Sequence, residues 1–255
     1  MGPALDPPIP AALIERLRSA RRVLVLTGAG ISAESGVPTF RDAQTGLWAK
    51  YRAEELATPE AFLESPRLVW DWYSWRRELT AKAEPNAGHR ALVELAQLVP
   101  ELTLVTQNVD GLHQRAGSRD VIELHGSIAV DLCFDERTPV AAAERAPGDG
   151  VPPRCGRCGA SLRPGVVWFG ESLPRRALER AEKAAQEAEV ALSIGTSGLV
   201  HPAAGLPHLA GSRGALLVEI NPTQTPLTPH VTHALSGPAG RILPRLVARL
   251  GGASQ

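Results

Sequence analysis

Short apolar runs recur along the chain and alternate with longer amphipathic segments. The runs lie in Arg22–Leu26, Leu102–Asn108, Val121–Gly126, Val190–Ser197 and Ala215–Asn221. Between them apolar residues repeat with helical spacing, as in residues 11–20, 89–98 and 174–188. Strands of a parallel sheet are buried on both faces, so they form continuous apolar runs rather than alternating ones. The pattern predicts an α/β fold in which helices cover both faces of a doubly wound parallel sheet.

Two regions depart from this rhythm. Residues 47–84 look helical and hold four of the five tryptophans and both tyrosines. Residues 133–164 are rich in Gly, Pro, Ala and Arg around the three cysteines. We interpret both regions as insertions packed beside the main domain. That domain then consists of residues 1–47, 89–127 and 165–255, while residues 48–88 and 128–164 form a smaller domain.

Composition and charge argue against several classes of partner. The 255-residue chain balances 27 Lys and Arg against 27 Asp and Glu, which gives no long-range field for nucleic acid or anionic lipid. No stretch reaches the roughly 18 apolar residues of a membrane span. The N-terminal segment is too acidic and proline-rich for a signal or transit peptide, and Asp6 stands where a myristoylation motif needs Ser or Thr. We expect a soluble cytoplasmic protein without nucleic-acid or membrane partners.

A glycine-rich loop follows the first apolar run. The stretch "GAGISA", from Gly28 through Ala29 and Gly30 to Ala33, matches the G-x-G-x-x-[G/A] fingerprint. In that motif, backbone N–H groups approach a dinucleotide pyrophosphate. Taken alone, the pattern is equally typical of a glycine turn between a strand and a helix. The ribose-binding acid expected about 20 residues further on would fall in the tryptophan-rich insertion, which argues against an ordinary dehydrogenase half-domain.

Polar residues stand at the ends of two other predicted strands. Gln107, Asn108 and Asp110 follow one run, and His125 ends another. The carboxyl ends of parallel strands are where α/β proteins commonly bind ligands. An imidazole with a pKa near 6.5 suits a general base at neutral pH. A polar loop with an Asx turn, and a purely structural histidine, are the alternatives.

Six sequence blocks follow one another in order: "GAGISAESGVPTFR", "TQNVDGLHQRAG", "ELHGS", "WFGE", "GTS" and "EINP". From about Val23 to Leu246 the chain thereby resembles the sirtuin family, the NAD-dependent protein lysine deacylases. The resemblance implies that the main domain is a Rossmann-type NAD-binding domain and that the smaller one is a zinc-ribbon and helical domain. A cleft between them would take NAD from one side and an acylated lysine from the other.

The resemblance implies how NAD is bound. Gly28, Ala29 and Gly30 would border the pyrophosphate, while Phe40 and Arg41 would close over the ribose and nicotinamide end. Other contacts would come from residues that follow the remaining strands. Asn108 and Asp110 would lie in the nicotinamide pocket and Gln107 at the nearby ribose. Phosphate, the adenine-side ribose and adenine would be contacted by Gly195, Thr196, Ser197, Asn221 and Ala239.

The resemblance also implies acyl transfer to ADP-ribose, with His125 and Asn108 as catalytic residues. The amide oxygen of acyl-lysine would attack C1′ of the ribose as nicotinamide leaves, and His125 would then deprotonate a ribose hydroxyl. The products would be nicotinamide, free lysine and 2′-O-acyl-ADP-ribose. A protein ADP-ribosyltransferase that uses the same pocket, and a non-catalytic NAD-binding or interaction module, are the alternatives.

Two further segments resemble substrate-binding parts of the family. One would pair with the substrate peptide as an added strand, and it contains Val166, Trp168, Phe169, Gly170 and Glu171. The other holds Tyr73 and Arg76, neighbours on one helix face, in a Y-x-x-R pattern like that of the class acting on succinyl- and malonyl-lysine. A guanidinium fork pairs with a carboxylate, and a phenol adds one donor. We predict desuccinylation and demalonylation with deacetylation retained; a surface Arg beside a core Tyr is the alternative.

The cysteines indicate a metal site. Cys155 and Cys158 form a C-x-x-C pair, which in a chain without a secretion signal indicates metal before disulfide. The family usually binds structural zinc with two such pairs. Cys133 matches one position of the other pair, but Glu136 stands at its second position. Glu136, Asp135 or water would complete a zinc tetrahedron, or the module folds without metal.

Overall fold

A computed structural model describes residues 8–39 and 51–252 of the chain. Its central feature is a six-stranded sheet with the strand order β3-β2-β1-β6-β7-β8, in which every neighbouring pair is parallel. A second, antiparallel sheet pairs β4 with β5. The strands are β1 (Arg22–Thr27), β2 (Glu101–Thr106), β3 (Ile122–Glu123), β4 (Gly126–Cys133), β5 (Leu162–Val166), β6 (Val190–Ile194), β7 (Leu216–Asn221) and β8 (His233–Ser236).

Helices cover both faces of the large sheet, which confirms the predicted α/β architecture. Within the described residues they are α1 (Ala11–Ser19), α2 (Ala53–Leu56), α3 (Pro59–Glu64), α4 (Pro66–Lys82), α5 (Ala87–Leu98), α6 (Leu112–Ala116), α7 (Arg175–Glu187), α8 (Leu206–Ser212) and α9 (Ala239–Leu250). None of these helices has the length and apolar character that crossing a bilayer demands.

The side chains of β1 alternate between the two faces of the large sheet and show which helices cover each face. Val23 and Val25 belong to one apolar cluster together with α1, α5 and α9, while Leu24 and Leu26 belong to another with α7 and α8. Successive side chains of a strand point to opposite faces, so one continuous apolar run serves both layers. This double burial explains why the strand reads as an unbroken hydrophobic stretch.

Two strands differ from the predicted runs. The run Val121–Gly126 yields only the two residues of β3, because Leu124 and His125 form a turn and Gly126, with φ +74°, starts β4. A Cβ at Gly126 would lie 2.2 Å from the carbonyl oxygen of Gly165. β8 was not predicted, since only Leu235 in it is buried and it carries no apolar run. β8 pairs with β7, with Val218 opposite His233, and so adds one edge strand to the sheet.

The two expected insertions pack together beside the sheet. Helices α2 to α4 share an apolar cluster with β4 and β5, built around Phe62, Trp72, Tyr73 and Trp168. A buried Asp131 on β4 accepts a hydrogen bond from Arg77 of α4 at 2.6 Å and another from Arg145. This ion cluster joins the helical segment to the cysteine-bearing segment. The division of the chain at the predicted domain boundaries stays a prediction.

Candidate functional site

The carboxyl ends of β1, β2, β6 and β7 bring the predicted cofactor residues to one edge of the sheet. The backbone N–H of Gly28 donates to the Ile194 carbonyl at 3.0 Å, and that of Gly30 donates to the Gly195 carbonyl at 2.8 Å. The Gln107 N–H donates to the Thr27 carbonyl at 2.9 Å. The loops after three strands are therefore fixed to one another by main-chain hydrogen bonds.

Three of the glycines in this site have no room for a side chain. A Cβ at Gly28 would lie 2.8 Å from the Gly195 carbonyl oxygen, and one at Gly30 would lie 2.7 Å from the Gly195 Cα. Gly195 itself has φ +59° and would place a Cβ 2.5 Å from the Ile31 nitrogen. The close approach of the two loops explains the glycines, and it leaves backbone rather than side chains lining this edge.

The next layer of the site is polar. Thr196 Oγ1 lies 3.4 Å from Gln107 Oε1, and Asn221 Nδ2 donates to the Thr196 carbonyl at 2.8 Å. Gln107 Nε2 is buried and makes no hydrogen bond within the described part of the chain. A buried amide donor without a partner costs about 1–3 kcal/mol, so Gln107 Nε2 is a candidate donor to a ligand. Ser197, the next residue after Thr196, is half-buried.

Asp110 and Asn108 meet at Ser32, a residue that the sequence did not single out. Ser32 Oγ donates to Asp110 Oδ2 at 2.7 Å and accepts from Asn108 Nδ2 at 3.2 Å. Ser32 Oγ is also 3.4 Å from His89 Nε2. Burial lowers the pKa of His89 to about 4, against the opposing charge of Asp110, so His89 is neutral at pH 7. Ser32 lies inside the first quoted sequence block and His89 at the start of a predicted helix, but only their long-range contacts reveal their role.

His125 follows β3 and faces the same edge. Its Nδ1 lies 2.9 Å from the Gln107 carbonyl oxygen. A carbonyl only accepts hydrogen bonds, so Nδ1 carries the proton and Nε2 keeps its lone pair. Burial lowers the pKa of His125, and the hydrogen bond to Gln107 opposes that effect. His125 is therefore a neutral imidazole with a basic Nε2 at pH 7.

Of the four remaining predicted cofactor residues, the structure describes two. Ala29 begins a 3₁₀ helix that runs from Ala29 to Ser35, and Ala239 is buried at the start of α9. These two segments are joined by the Glu34 carboxylate, which accepts from the Gly240 N–H at 2.7 Å. Phe40 and Arg41 lie outside the described residues.

The predicted peptide-binding segment leaves β5 next to His125. The Val167 N–H donates to the His125 carbonyl at 2.9 Å, and the Phe169 N–H donates to the Ala57 carbonyl at 2.9 Å. Val166 and Trp168 are buried, whereas Phe169 is 43% exposed. Gly170 turns the chain with φ +85°. The carboxylate of the last residue, Glu171, is bound by the side chains of Arg163 and Arg137.

Tyr73 and Arg76 are both buried on α4, so Arg76 is not the surface residue of the alternative interpretation. Tyr73 Oη accepts a hydrogen bond from Trp168 Nε1 at 3.1 Å, and the Arg76 guanidinium lies 5.3 Å from the centre of the Trp72 ring. Burial lowers the pKa of Arg76, while Tyr73 and Asp110 oppose that effect electrostatically.

The four predicted metal ligands come together. The ligand atoms of Cys133, Glu136, Cys155 and Cys158 all lie within 4.8 Å of one another, and the sulfurs of Cys133 and Cys158 are 3.4 Å apart. A zinc–sulfur distance of about 2.3 Å gives tetrahedron edges of about 3.8 Å, so the cluster is compatible with structural zinc. Arg157 holds Glu136 through a 2.9 Å bond from Nε.

Comparison with known proteins agrees with this geometry. The Sir2 family profile matches residues 28–202. An NAD-dependent protein deacylase of Methylococcus capsulatus (strain Bath) is 50% identical over 244 residues, which cover 93% of this chain and 96% of the relative. A crystal structure of a Sir2 homologue–NAD complex has a TM-score of 0.90 and 46% identity, covering 97% of this chain and 96% of the other.

A second solved structure, a mutant Sir2 homologue in complex with 2′-O-acetyl ADP-ribose, has a TM-score of 0.89 at 46% identity. It covers 97% of this chain and 99% of its own. Sequence and fold therefore agree over nearly the whole length, and the resemblance seen in the sequence is confirmed. The chain belongs to the Sir2 family, the sirtuins.

Proposed function

We infer that the chain is an NAD-dependent protein deacylase that transfers the acyl group of a modified lysine to ADP-ribose. The observation that carries this inference is the convergence, at one sheet edge, of a side-chain-free glycine cradle and a neutral imidazole with a basic nitrogen. The names of the relatives support it, since the Methylococcus protein is an NAD-dependent protein deacylase and one structural neighbour holds 2′-O-acetyl ADP-ribose.

The residues at the edge fit NAD as a co-substrate. We propose that Gly28, Ala29 and Gly30 approach the pyrophosphate. We also propose that Gln107 Nε2, which has no partner among the described residues, donates to a ribose oxygen. Bound NAD would supply an electrophilic ribose carbon and a leaving nicotinamide. The other proposed contacts are those named from the sequence: Phe40, Arg41, Asn108, Asp110, Gly195, Thr196, Ser197, Asn221 and Ala239.

The Ser32 cluster gives Asp110 and Asn108 defined orientations. Asp110 Oδ1 accepts from the Leu112 N–H at 2.9 Å while Oδ2 accepts from Ser32. Each carboxylate oxygen retains a further lone pair, which suits the N–H donors of a carboxamide such as nicotinamide. We propose that this cluster forms the nicotinamide pocket.

We propose that His125 is the general base. Its Nδ1–H is committed to the Gln107 carbonyl, so the proton of a ribose hydroxyl is taken by Nε2. The His125→Ala variant should lose deacylation by about 100- to 10,000-fold, the usual contribution of a general base, while NAD binding stays near normal. His208→Ala, which removes an exposed imidazole, is the matched control. Near-normal turnover in His125→Ala would overturn the assignment.

We propose that Arg76 and Tyr73 select acyl groups that end in a carboxylate, and that acetyl-lysine is also processed. A buried guanidinium favours a carboxylate because a charge-assisted, bidentate bond is stronger there than in water. Arg76→Met should lower kcat/KM on succinyl-lysine peptide by about 10- to 100-fold, the loss expected for hydrogen bonds to a charged group. The effect on acetyl-lysine should stay within about 3-fold.

The control for Arg76→Met is Arg67→Met, which removes the same charge from an exposed position of α4. Equal losses on succinyl and acetyl peptides would disprove the role of Arg76.

We further propose that acylated proteins bind as an added strand against residues 166–171, whose neighbouring backbone is already fixed to His125. We also propose a cytoplasmic location, because the three cysteines are free thiols, which fit a reducing compartment.

A further inference from the structure

Trp168 stands between the proposed peptide-binding segment and the proposed acyl-selecting pair. We propose that Trp168 is a positioning residue for acyl specificity: its indole N–H fixes the Tyr73 hydroxyl so that the hydroxyl hydrogen is directed to the carboxylate of a bound acyl group. The proposal rests on the function proposed for Tyr73 and Arg76. Trp168 would act through Tyr73 and not by touching the acyl chain.

The direction of the hydrogen bond between these residues is fixed by chemistry. An indole N–H is a donor only, so Tyr73 Oη must accept in the 3.1 Å bond from Trp168 Nε1. A phenol has a single hydrogen, which cannot then point at the indole. Among the described residues the bond from Trp168 is the one hydrogen bond of this hydroxyl. No described residue accepts the hydrogen of Tyr73, which on this proposal is donated to an acceptor that enters the cleft.

Burial keeps Tyr73 in the donating form. Burial raises the pKa of Tyr73 well above its ordinary value, against the opposing positive charge of Arg76. The phenol therefore keeps its hydrogen at any pH at which the protein works. A neutral phenol whose acceptor site is occupied donates better, because hydrogen bonds in a chain polarise one another.

Arg163 fixes the indole that orients the phenol. Its guanidinium carbon lies 3.4 Å from the centre of the Trp168 ring, in cation–π contact, and the side chain is 1% exposed. Its N–H groups lie against Glu171 at 2.5 and 2.8 Å and against the Val166 carbonyl at 2.8 Å. Arg163 cannot leave the ring without breaking these bonds, so the plane of the indole is held.

Glu171 completes the assembly. Its carboxylate accepts from Arg163 and also from the Trp168 backbone N–H at 2.9 Å. The same carboxylate accepts from Arg137. Glu171 therefore fixes the backbone of Trp168 directly and the ring of Trp168 through Arg163. Any effect of Glu171 on the substrate would pass through these contacts. The set Glu171, Arg163, Trp168 and Tyr73 forms one connected chain that ends at the acyl-selecting hydroxyl.

The test is a double-mutant cycle read on two matched peptides, one succinylated and one acetylated on lysine. Trp168→Phe keeps an aromatic ring but removes the N–H, and Tyr73→Phe removes the hydroxyl. We expect Trp168→Phe to lower kcat/KM on the succinyl peptide by about 3- to 10-fold, the usual loss for one hydrogen bond. Any loss of peptide binding would lower kcat/KM on both peptides alike, so the succinyl-to-acetyl ratio, which should fall by the same factor of about 3 to 10, isolates the lost N–H. In the Tyr73→Phe background, Trp168→Phe should have no further selective effect.

Two variants keep the result interpretable. Trp70→Phe makes the same substitution at a buried tryptophan of α4 that belongs to the cysteine cluster, and it should leave the succinyl-to-acetyl ratio unchanged. Should Trp168→Phe unfold, a benzothienylalanine at position 168 retains the bicyclic shape without the N–H and should give the same selective loss.

The outcomes separate this inference from the proposed function. If Tyr73→Phe and Arg76→Met leave the succinyl-to-acetyl ratio unchanged, the proposed acyl selection is wrong. If those two variants lower the ratio but Trp168→Phe does not, or if Trp168→Phe lowers it equally in the Tyr73→Phe background, the positioning role of Trp168 is wrong while the proposed function stands.

Discussion

Removing the charge of Glu171 should destabilise the protein in a pH-dependent way. Burial by itself would raise the pKa of this carboxyl, but hydrogen bonds from Arg163, Trp168 and Arg137 outweigh it and lower the pKa from 4.5 to about 2. At about 1.4 kcal/mol per pKa unit, the shift corresponds to roughly 3 kcal/mol. Arg137 is 51% exposed, so solvent screening reduces this figure. We expect Glu171→Gln to lower the unfolding free energy by about 1–2 kcal/mol at pH 7.

The sign of the pH dependence follows from the lowered pKa. The folded state holds the carboxylate ionised to lower pH than the unfolded chain does, so the stabilisation is complete above about pH 4.5 and is lost as the pH falls toward 2. Urea unfolding followed by tryptophan fluorescence at pH 7, 5 and 3.5 measures it. The gap between wild type and Glu171→Gln should be largest at pH 7 and should narrow at pH 3.5.

The control for this experiment is Glu179→Gln, which breaks an exposed ion pair with Arg175 on α7. Exposed pairs contribute about 0–1 kcal/mol, so this variant should unfold almost like the wild type. A gap for Glu171→Gln that is the same at all three pH values would refute the reasoning, because the stabilisation would then not come from the carboxylate charge.

Three other predictions concern the cofactor edge, the base and the metal cluster. Gly30→Ala should weaken NAD binding and cost about 1–3 kcal/mol in stability, because its methyl would meet the Gly195 backbone. The control Gly205→Ala, at a position with open space around it, should do neither. Equal melting temperatures and equal NAD affinities for the two variants would count against the glycine cradle. The acid limb of the kcat/KM–pH profile should lie below 6.5, because burial lowers the pKa of His125; a limb above 7 would contradict this. Protein purified without added zinc should contain about one zinc per chain. Glu136→Cys should slow the loss of zinc to a chelator, because thiolate is a softer ligand than carboxylate. If the wild type and the Glu136→Cys variant were both metal-free, the zinc site would be excluded.

Much of the fold and part of the site could be predicted from local patterns. Apolar runs located β1, β2, β6 and β7, since strands buried on both faces leave an unmistakable signal. Parallel strands then place their carboxyl ends at one edge, which brought Gly28, Gln107 and Asn221 together as expected. The edge strand β8 escaped because one buried leucine in four residues carries no periodic signal.

The contacts that the sequence did not reveal are long-range. Ser32 and Asp110 are 78 positions apart, and Tyr73 and Trp168 are 95 apart, yet each pair shares a hydrogen bond. Nothing in the sequence singled out Arg163, which is buried because Glu171 and two carbonyls satisfy its donors. No local spacing rule predicts such pairs, because they form only when elements that are distant in sequence pack against one another.

We propose above all that an acyl group passes from lysine to ADP-ribose at the sheet edge that holds His125. The most direct test incubates the protein with NAD and three peptides of one sequence that carry succinyl-, acetyl- or unmodified lysine, and follows all products by mass spectrometry. We expect acylated peptides to lose the acyl mass, with one nicotinamide and one acyl-ADP-ribose formed per lysine released. Nicotinamide release that does not depend on an acylated peptide, or a peptide that gains the mass of ADP-ribose, would contradict it.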